Sequence, residues 1–128
     1  MTERELQVAW AAGFLDGEGY IALTRGGKPV IEVSQIKREP LDRLKGLFGG
    51  SICTMGRPTK AGNPIFRWRM TDTPALLALV EMQPLLVVKR EIADGILQQW
   101  GGEGFGYDER GLKARRARRQ KDATILLA

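Results

Sequence analysis

Histidine is absent from this 128-residue sequence, and cysteine occurs only once, at Cys53. Without histidine, the common histidine zinc sites and the Ser-His and Cys-His pairs of nucleophilic enzymes are excluded. The absence also argues against nucleases that use histidine as a general base. A single cysteine excludes an intramolecular disulfide and a metal site built from several cysteines.

The sequence also lacks a signal-peptide pattern and an apolar run long enough to cross a membrane. We therefore expect an intracellular protein with no membrane partner, in the cytoplasm, the nucleoid or an organelle. Hydrophobic residues make up 43% of the chain, which favours a folded domain with a core. The 20 Lys and Arg residues exceed the 15 Asp and Glu residues, giving a formal net charge of +5. This excess favours a polyanionic partner, although ribosomal and membrane-surface proteins share it.

The first residues predict a helix with two different faces. Thr2 and Glu5 have the spacing of a capping box, which places the helix start just before Glu3. One stripe carries bulky apolar residues at helical spacing: Leu6, Trp10 and Phe14. The other stripe is almost without side chains: Ala9, Ala12, Gly13 and Asp16. Because small residues let two backbones approach closely, we expect this small-residue face to pack against a second helix, as a dimer interface.

Two acidic residues, Asp16 and Glu18, flank Gly17 where Gly17 and Gly19 are expected to end this helix. Their carboxylates and the Gly17 carbonyl offer oxygen ligands to a hard cation such as Mg²⁺. If the small-residue face is a two-fold interface, the acids of two chains meet at the axis. Two metal sites close together suit in-line displacement at phosphate. The alternative is an ordinary turn whose acids are solvated or cap backbone groups.

Residues 11–19, Ala-Ala-Gly-Phe-Leu-Asp-Gly-Glu-Gly, resemble the LAGLIDADG motif of the homing endonucleases. Four residues match the motif letter for letter: Ala12, Gly13, Asp16 and Gly19. Ala11 stands where Leu is usual, and Glu18 replaces the second Asp. The resemblance implies that Glu18 binds the catalytic metal, which would be Mg²⁺ or another divalent cation such as Mn²⁺.

Two further segments are similar to parts of the same family. Ser34-Gln35 resembles the segment whose glutamine positions solvent near the metal, which assigns that role to Gln35. The apolar run that ends in Lys89 resembles the segment whose lysine helps to stabilise charge on the scissile phosphate. The alternative for Lys89 is an ordinary surface lysine with a buried stem.

The remaining pattern predicts four strands and further helices. The strands are predicted over 20–25, 28–36, 51–57 and 64–71, with a turn at Gly26-Gly27. Helices are predicted from Glu39 to Gly49, from Asp72 or Thr73 to Pro84, from Leu85 to Trp100, and over 108–127. This order resembles the α+β, αββαββα core of the homing endonucleases, an antiparallel four-stranded DNA-binding saddle backed by helices. We expect the core domain over 1–100, with a glycine-rich linker and a basic C-terminal helix over 101–128.

The polar face of this sheet is the candidate for DNA contact, because two-stranded ribbons fit the major groove. The candidates on that face are Thr24, Lys28, Glu32, Ser34, Arg67 and Arg69. Arg57 and Lys60, at the tip of a basic hairpin, are expected to contact phosphates. The alternative is an ordinary solvated sheet face.

The resemblance therefore implies a single-motif endonuclease that acts as a homodimer. It would hydrolyse double-stranded DNA at a long, roughly palindromic site, with Mg²⁺ and no small-molecule cofactor. The alternatives are a non-cutting DNA-binding regulator or an RNA maturase of the same fold. An intact acid at Glu18, together with Gln35 and Lys89, favours the enzyme. A basic structural protein of a ribonucleoprotein would explain the charge but not the acidic pair.

Overall fold

The computed structural model of the chain describes residues 1–56 and 59–101. Its elements are α1 (Glu3–Glu18), β1 (Gly19–Leu23), β2 (Pro29–Gln35), α2 (Glu39–Phe48), β3 (Ser51–Thr54), β4 (Phe66–Thr71), α3 (Asp72–Met82), a 3₁₀ turn (Gln83–Leu85) and α4 (Arg90–Gly101). This order confirms the predicted α+β class and αββαββα arrangement. The predicted basic C-terminal helix lies outside the described residues. Within them, no helix is long and apolar enough to cross a membrane.

The four strands form one antiparallel sheet in the spatial order β1-β2-β4-β3. The β1–β2 turn closes where the Gly26-Gly27 pair predicted it: the Gly27 N–H donates to the Thr24 carbonyl at 2.8 Å. Gly27 has a φ of 81°, a conformation that glycine adopts without steric cost. The helices pack against one face of the sheet, whose side chains are buried: Ile21, Ile31, Val33, Trp68 and Met70. The opposite face, called the outer face below, carries the polar side chains.

Helix α1 begins as predicted, because Thr2 and Glu5 form the capping box in both directions. Its buried face is different from the predicted one: it consists of Val8, Ala11, Ala12 and Leu15. Leu6, which was expected on the bulky apolar face, is 54% exposed. Trp10 and Phe14 are only half-buried and stack on each other, with ring centroids 5.3 Å apart. The alanines allow α1 to approach α3 closely, so the small residues of α1 occupy the core.

The predicted helix from Leu85 to Trp100 is wrong at its start. Leu86 has an extended backbone, and α4 begins only at Arg90. Segment 86–89 instead forms a connector between the 3₁₀ turn and α4. This connector is fixed by contacts with the end of α1, which are described below.

The two glycines that follow α2, Gly49 and Gly50, lie close to the middle of β4. Gly50 has a φ of 90°, and a Cβ atom there would lie 2.8 Å from the Arg69 carbonyl oxygen. The Trp68 indole N–H donates to the Gly49 carbonyl at 2.8 Å. Gly49 and Gly50 therefore let the chain after α2 contact β4, the strand that carries Arg67 and Arg69 on the outer face.

Candidate active site and nucleic-acid interface

The candidate metal ligands lie in the last turn of α1. The helix continues through Gly17 and Glu18 and is capped by Gly19, whose N–H donates to the Leu15 carbonyl at the C-terminus. Gly17 therefore lies inside the helix and does not end it, contrary to the prediction. The last four carbonyls of a helix have no partner within it, and the Gly17 carbonyl is one of them. The last turn therefore offers both a carboxylate, from Glu18, and a backbone oxygen.

Gln35 reaches Glu18 from the end of β2. Its Nε2 atom donates to Glu18 Oε1 at 2.6 Å, and the pair is exposed to solvent. A charge-assisted hydrogen bond of this length restricts the orientation of the carboxylate. The two residues, 17 positions apart in the sequence, thus form one polar group where α1 passes into β1.

Asp16 holds the connector before α4 through its backbone. Its Oδ2 atom accepts the Val87 N–H at 2.7 Å, and its Oδ1 atom accepts the Lys89 N–H at 2.9 Å. In return, Lys89 Nζ donates to the Asp16 carbonyl at 2.7 Å. These three hydrogen bonds, called the Asp16 clamp below, explain why segment 86–89 is not helical. Asp16 therefore caps backbone groups, which was the alternative to metal binding. Each of its two carboxylate oxygens accepts a hydrogen bond.

The end of α1 offers few protein ligands to a divalent cation. Among the described residues, no three His, Cys, Asp or Glu side chains are grouped so that they could hold a metal ion. One chain contributes the Glu18 carboxylate and the carbonyl of Gly17. Mg²⁺ is commonly held by one or two carboxylates, with water and substrate phosphates completing its shell. The oxygen donors of this turn fit such an ion, provided that phosphate or a second chain supplies further ligands.

The outer face of the sheet is organised in cross-strand rows that follow from the pairing register. The row nearest the end of α1 contains Ser34, Arg67 and Cys53. The middle row contains Tyr20, Glu32, Arg69 and Ser51. The far row contains Ala22, Val30 and Thr71. Four of the predicted contact residues therefore share one face, in two adjacent rows.

The two arginines differ in their surroundings. Arg69 Nε lies 3.0 Å from Glu32 Oε2, and the side chains are 43% and 22% exposed. Arg67 Nε is buried and has no hydrogen-bond partner among the described residues. An unpaired buried donor is costly, so Arg67 Nε is a polar atom of this face that the described residues leave unsatisfied.

The remaining predicted contact residues are not members of these cross-strand rows. Thr24 and Lys28 belong to the β1–β2 turn and not to a strand. The Lys28 N–H donates to Thr24 Oγ1 at 3.2 Å. Lys60 is exposed in the turn between Thr59 and Asn63. Arg57 lies outside the described residues.

Three residues of the outer face were missed by the sequence analysis: Tyr20, Ser51 and Cys53. All are exposed, and each stands beside a predicted contact residue in its row. Their alternation within short strands was visible in the sequence. What was missing was the register, which alone shows that Tyr20 and Ser51 flank Glu32 and Arg69.

The residues of the predicted dimer face differ in their exposure to solvent. Ala12 is fully buried in the core of its own chain, so its side chain offers no surface to a partner. Gly13 is exposed, and nothing lies within 4 Å of a Cβ atom built on it, whereas Ala9 is half-buried. Beside the end of this helix, Val87 and Val88 of the connector are exposed as well.

The chain matches no protein-family model and no curated protein sequence. Among solved structures, it matches the homing endonuclease I-CvuI in complex with its target in the presence of Ca, with 22% identity and a TM-score of 0.63 over 96% of this chain and 74% of that one. It also matches I-CvuI in complex with the I-CreI target in the presence of Mg, where the DNA is not cleaved, with 20% identity and a TM-score of 0.57 over 95% and 83% of the two chains.

A third match is the archaeal intron-encoded homing endonuclease I-Vdi141I complexed with DNA. Identity is 22% and the TM-score is 0.54, over 93% of this chain and 83% of that one. These matches cover nearly the whole chain and agree with the element order and the antiparallel sheet described above. The chain therefore has the αββαββα fold of the LAGLIDADG homing endonucleases.

Proposed function

We propose that this chain is a site-specific endonuclease of double-stranded DNA, acting as a homodimer with Mg²⁺. The observation that carries the proposal is the convergence of two distant segments on the last turn of α1. Gln35 binds the Glu18 carboxylate, and Lys89 binds the carbonyl of Asp16, two residues earlier. An ordinary solvated turn does not need an amide and an ammonium group brought from two other elements.

Each residue of this group has a distinct task in phosphodiester hydrolysis. Glu18 and the Gly17 carbonyl would hold the metal, which supplies a Lewis acid at the scissile phosphate when bound. Gln35 fixes the orientation of the carboxylate and can hold water beside it. Lys89 places a positive charge at the end of α1, where it opposes negative charge that builds on the phosphate. Asp16 keeps Lys89 and the connector in position.

The homodimer is proposed through the exposed part of the small-residue face. Gly13 lets a second helix approach, and the neighbouring valines 87 and 88, with Leu6, add apolar surface that one chain leaves uncovered. Apolar side chains exposed together on a folded domain are typical of contact surfaces. A two-fold axis beside Gly13 would bring the two Glu18 carboxylates close together, one for each DNA strand.

DNA would lie along the outer face. The row nearest the end of α1 presents Arg67 and the middle row presents Arg69, and a ribbon of this kind fits the major groove. Lys28 and Lys60, at the turns, would contact phosphates and set the register of the duplex. The formal net charge of +5 favours this association at low salt.

The test is a selection of cleaved duplexes from a random DNA library in Mg²⁺, with Glu18→Gln as the matched variant. Wild type should enrich one roughly palindromic sequence. Glu18→Gln keeps the shape of the side chain and its contact with Gln35, so it should bind that sequence but cleave it at least about 100-fold more slowly. Cleavage by Glu18→Gln at the wild-type rate would remove the metal-ligand assignment. A wild type that binds one sequence but cuts none would identify a non-cleaving DNA-binding regulator.

A further inference from the structure

The outer face carries an ion pair, and the role assigned to it below rests on the proposed DNA-binding function. Arg69 and Glu32 are direct cross-strand neighbours in the middle row, between Tyr20 and Ser51. Arg69 Nε lies 3.0 Å from Glu32 Oε2. A guanidinium also carries two Nη groups, whose N–H donors form the fork that pairs with guanine. The Glu32 carboxylate has a second oxygen, Oε1, and carboxylate oxygens can each accept more than one hydrogen bond.

An acidic residue at this place is unexpected in a surface for a polyanion. A carboxylate repels phosphates, so the middle row is unsuited to contact with the DNA backbone. A base edge is different, because it offers hydrogen-bond donors as well as acceptors. Glu32 therefore indicates that the middle row meets bases and not phosphates.

The pattern of donors and acceptors selects the base pair. In the major groove a G·C pair shows two neighbouring acceptors, guanine N7 and O6, followed by the cytosine N4 donor. The forked Nη groups of Arg69 supply two donors, and Glu32 supplies an acceptor next to them. An A·T pair presents acceptor, donor and acceptor in turn, which places a donor against the arginine fork.

We infer that Arg69 and Glu32 together recognise one G·C base pair in each half of the target. The ion pair orients the arginine before DNA binds, which reduces the ordering cost of recognition. Arg67, in the adjacent row, stands opposite Ser34 and Cys53 and has no carboxylate across the strands. It therefore contacts a different position independently of Glu32.

The experiment is a selection of bound duplexes from a random library without Mg²⁺, followed by sequencing, with the full chain. The variants are Glu32→Gln and Arg69→Lys, which removes the fork but keeps the charge. The matched control is Glu91→Gln, which deletes the same charge from an exposed residue of α4. Because the ion pair is partly solvated, melting curves of these variants should stay close to wild type.

Glu32→Gln and Arg69→Lys should each lower the G·C preference about tenfold at one and the same position of the half-site. Glu91→Gln should keep the wild-type profile. An unchanged profile for Glu32→Gln, or an equal loss at every position, would overturn the inference while leaving the proposed function intact. A wild type that enriches no sequence would overturn both.

Discussion

Replacing Asp16 by Asn should destabilise the fold while sparing the metal ligand. The change is nearly isosteric, so it leaves packing intact and alters only the Asp16 clamp. The carboxylate accepts the backbone N–H groups of Val87 and Lys89 at 2.7 and 2.9 Å. An Asn side chain has one acceptor oxygen, and its NH₂ group would face the other N–H. One charge-assisted hydrogen bond then becomes neutral, and one donor loses its acceptor.

The expected magnitude follows from these two losses. A hydrogen bond to a charged group contributes about 1.5–3 kcal/mol, against about 1 kcal/mol for a neutral one. Since the Lys89 N–H is partly buried and the Val87 N–H is exposed, water compensates for part of the loss. We expect the free energy of unfolding to fall by about 2–3 kcal/mol. For a chain of this size, this corresponds to a fall of about 8–12 °C in melting temperature.

Urea unfolding of the full chain measures this difference, with Asp42→Asn as the matched control. Asp42 forms an ion pair with Arg38 at 3.1 Å, with side chains 55% and 51% exposed, and its replacement should cost less than about 1 kcal/mol. Unfolding should be followed at several protein concentrations, because dimerisation would contribute to stability. Equal stability of the two variants would show that the Asp16 clamp does not hold the connector.

Three further predictions concern the site and its surfaces. Gln35→Ala should slow single-turnover cleavage more than it weakens DNA binding, because Gln35 orients the Glu18 carboxylate. Equal effects on cleavage and binding would make Gln35 a binding contact. Gly13→Leu should leave a folded monomer in light scattering, whereas Gly46→Leu, on an equally open helix position, should stay dimeric; a dimeric Gly13→Leu refutes this interface. Arg67→Ala should cost about 1–3 kcal/mol on the selected DNA and relax one base position, whereas Lys60→Ala should weaken binding evenly on all sequences. Equal losses for Arg67→Ala on selected and random DNA would place Arg67 on phosphate.

Local signals in the sequence were sufficient for most elements of the fold. The capping box of Thr2 and Glu5, the Gly26-Gly27 turn and the Gly49-Gly50 stop act through neighbouring backbone groups. Because these interactions span only a few residues, the sequence specifies them without knowledge of the fold. Strand alternation likewise placed Arg67 and Arg69 on one face and Trp68 on the other.

Only part of the candidate site could be predicted from the sequence. The acids around Gly17 were visible as a motif, and resemblance added Gln35 and Lys89. The hydrogen bond between Gln35 and Glu18 depends on how β2 lies beside the end of α1, which the pairing of β1 with β2 decides. The ion pair of Glu32 with Arg69 depends in the same way on the register of β2 and β4.

Two features were decided by the tertiary structure alone. Helical spacing showed two candidate stripes on α1, but the buried one contains Val8, Ala11, Ala12 and Leu15, which join the core on the side where α1 packs against α3. Segment 86–89 has an apolar sequence that suits a helix, yet Asp16 accepts the N–H groups of Val87 and Lys89, and the segment is not helical. Such contacts join residues more than 70 positions apart, and a hydrogen bond over that separation leaves no periodic trace in the sequence.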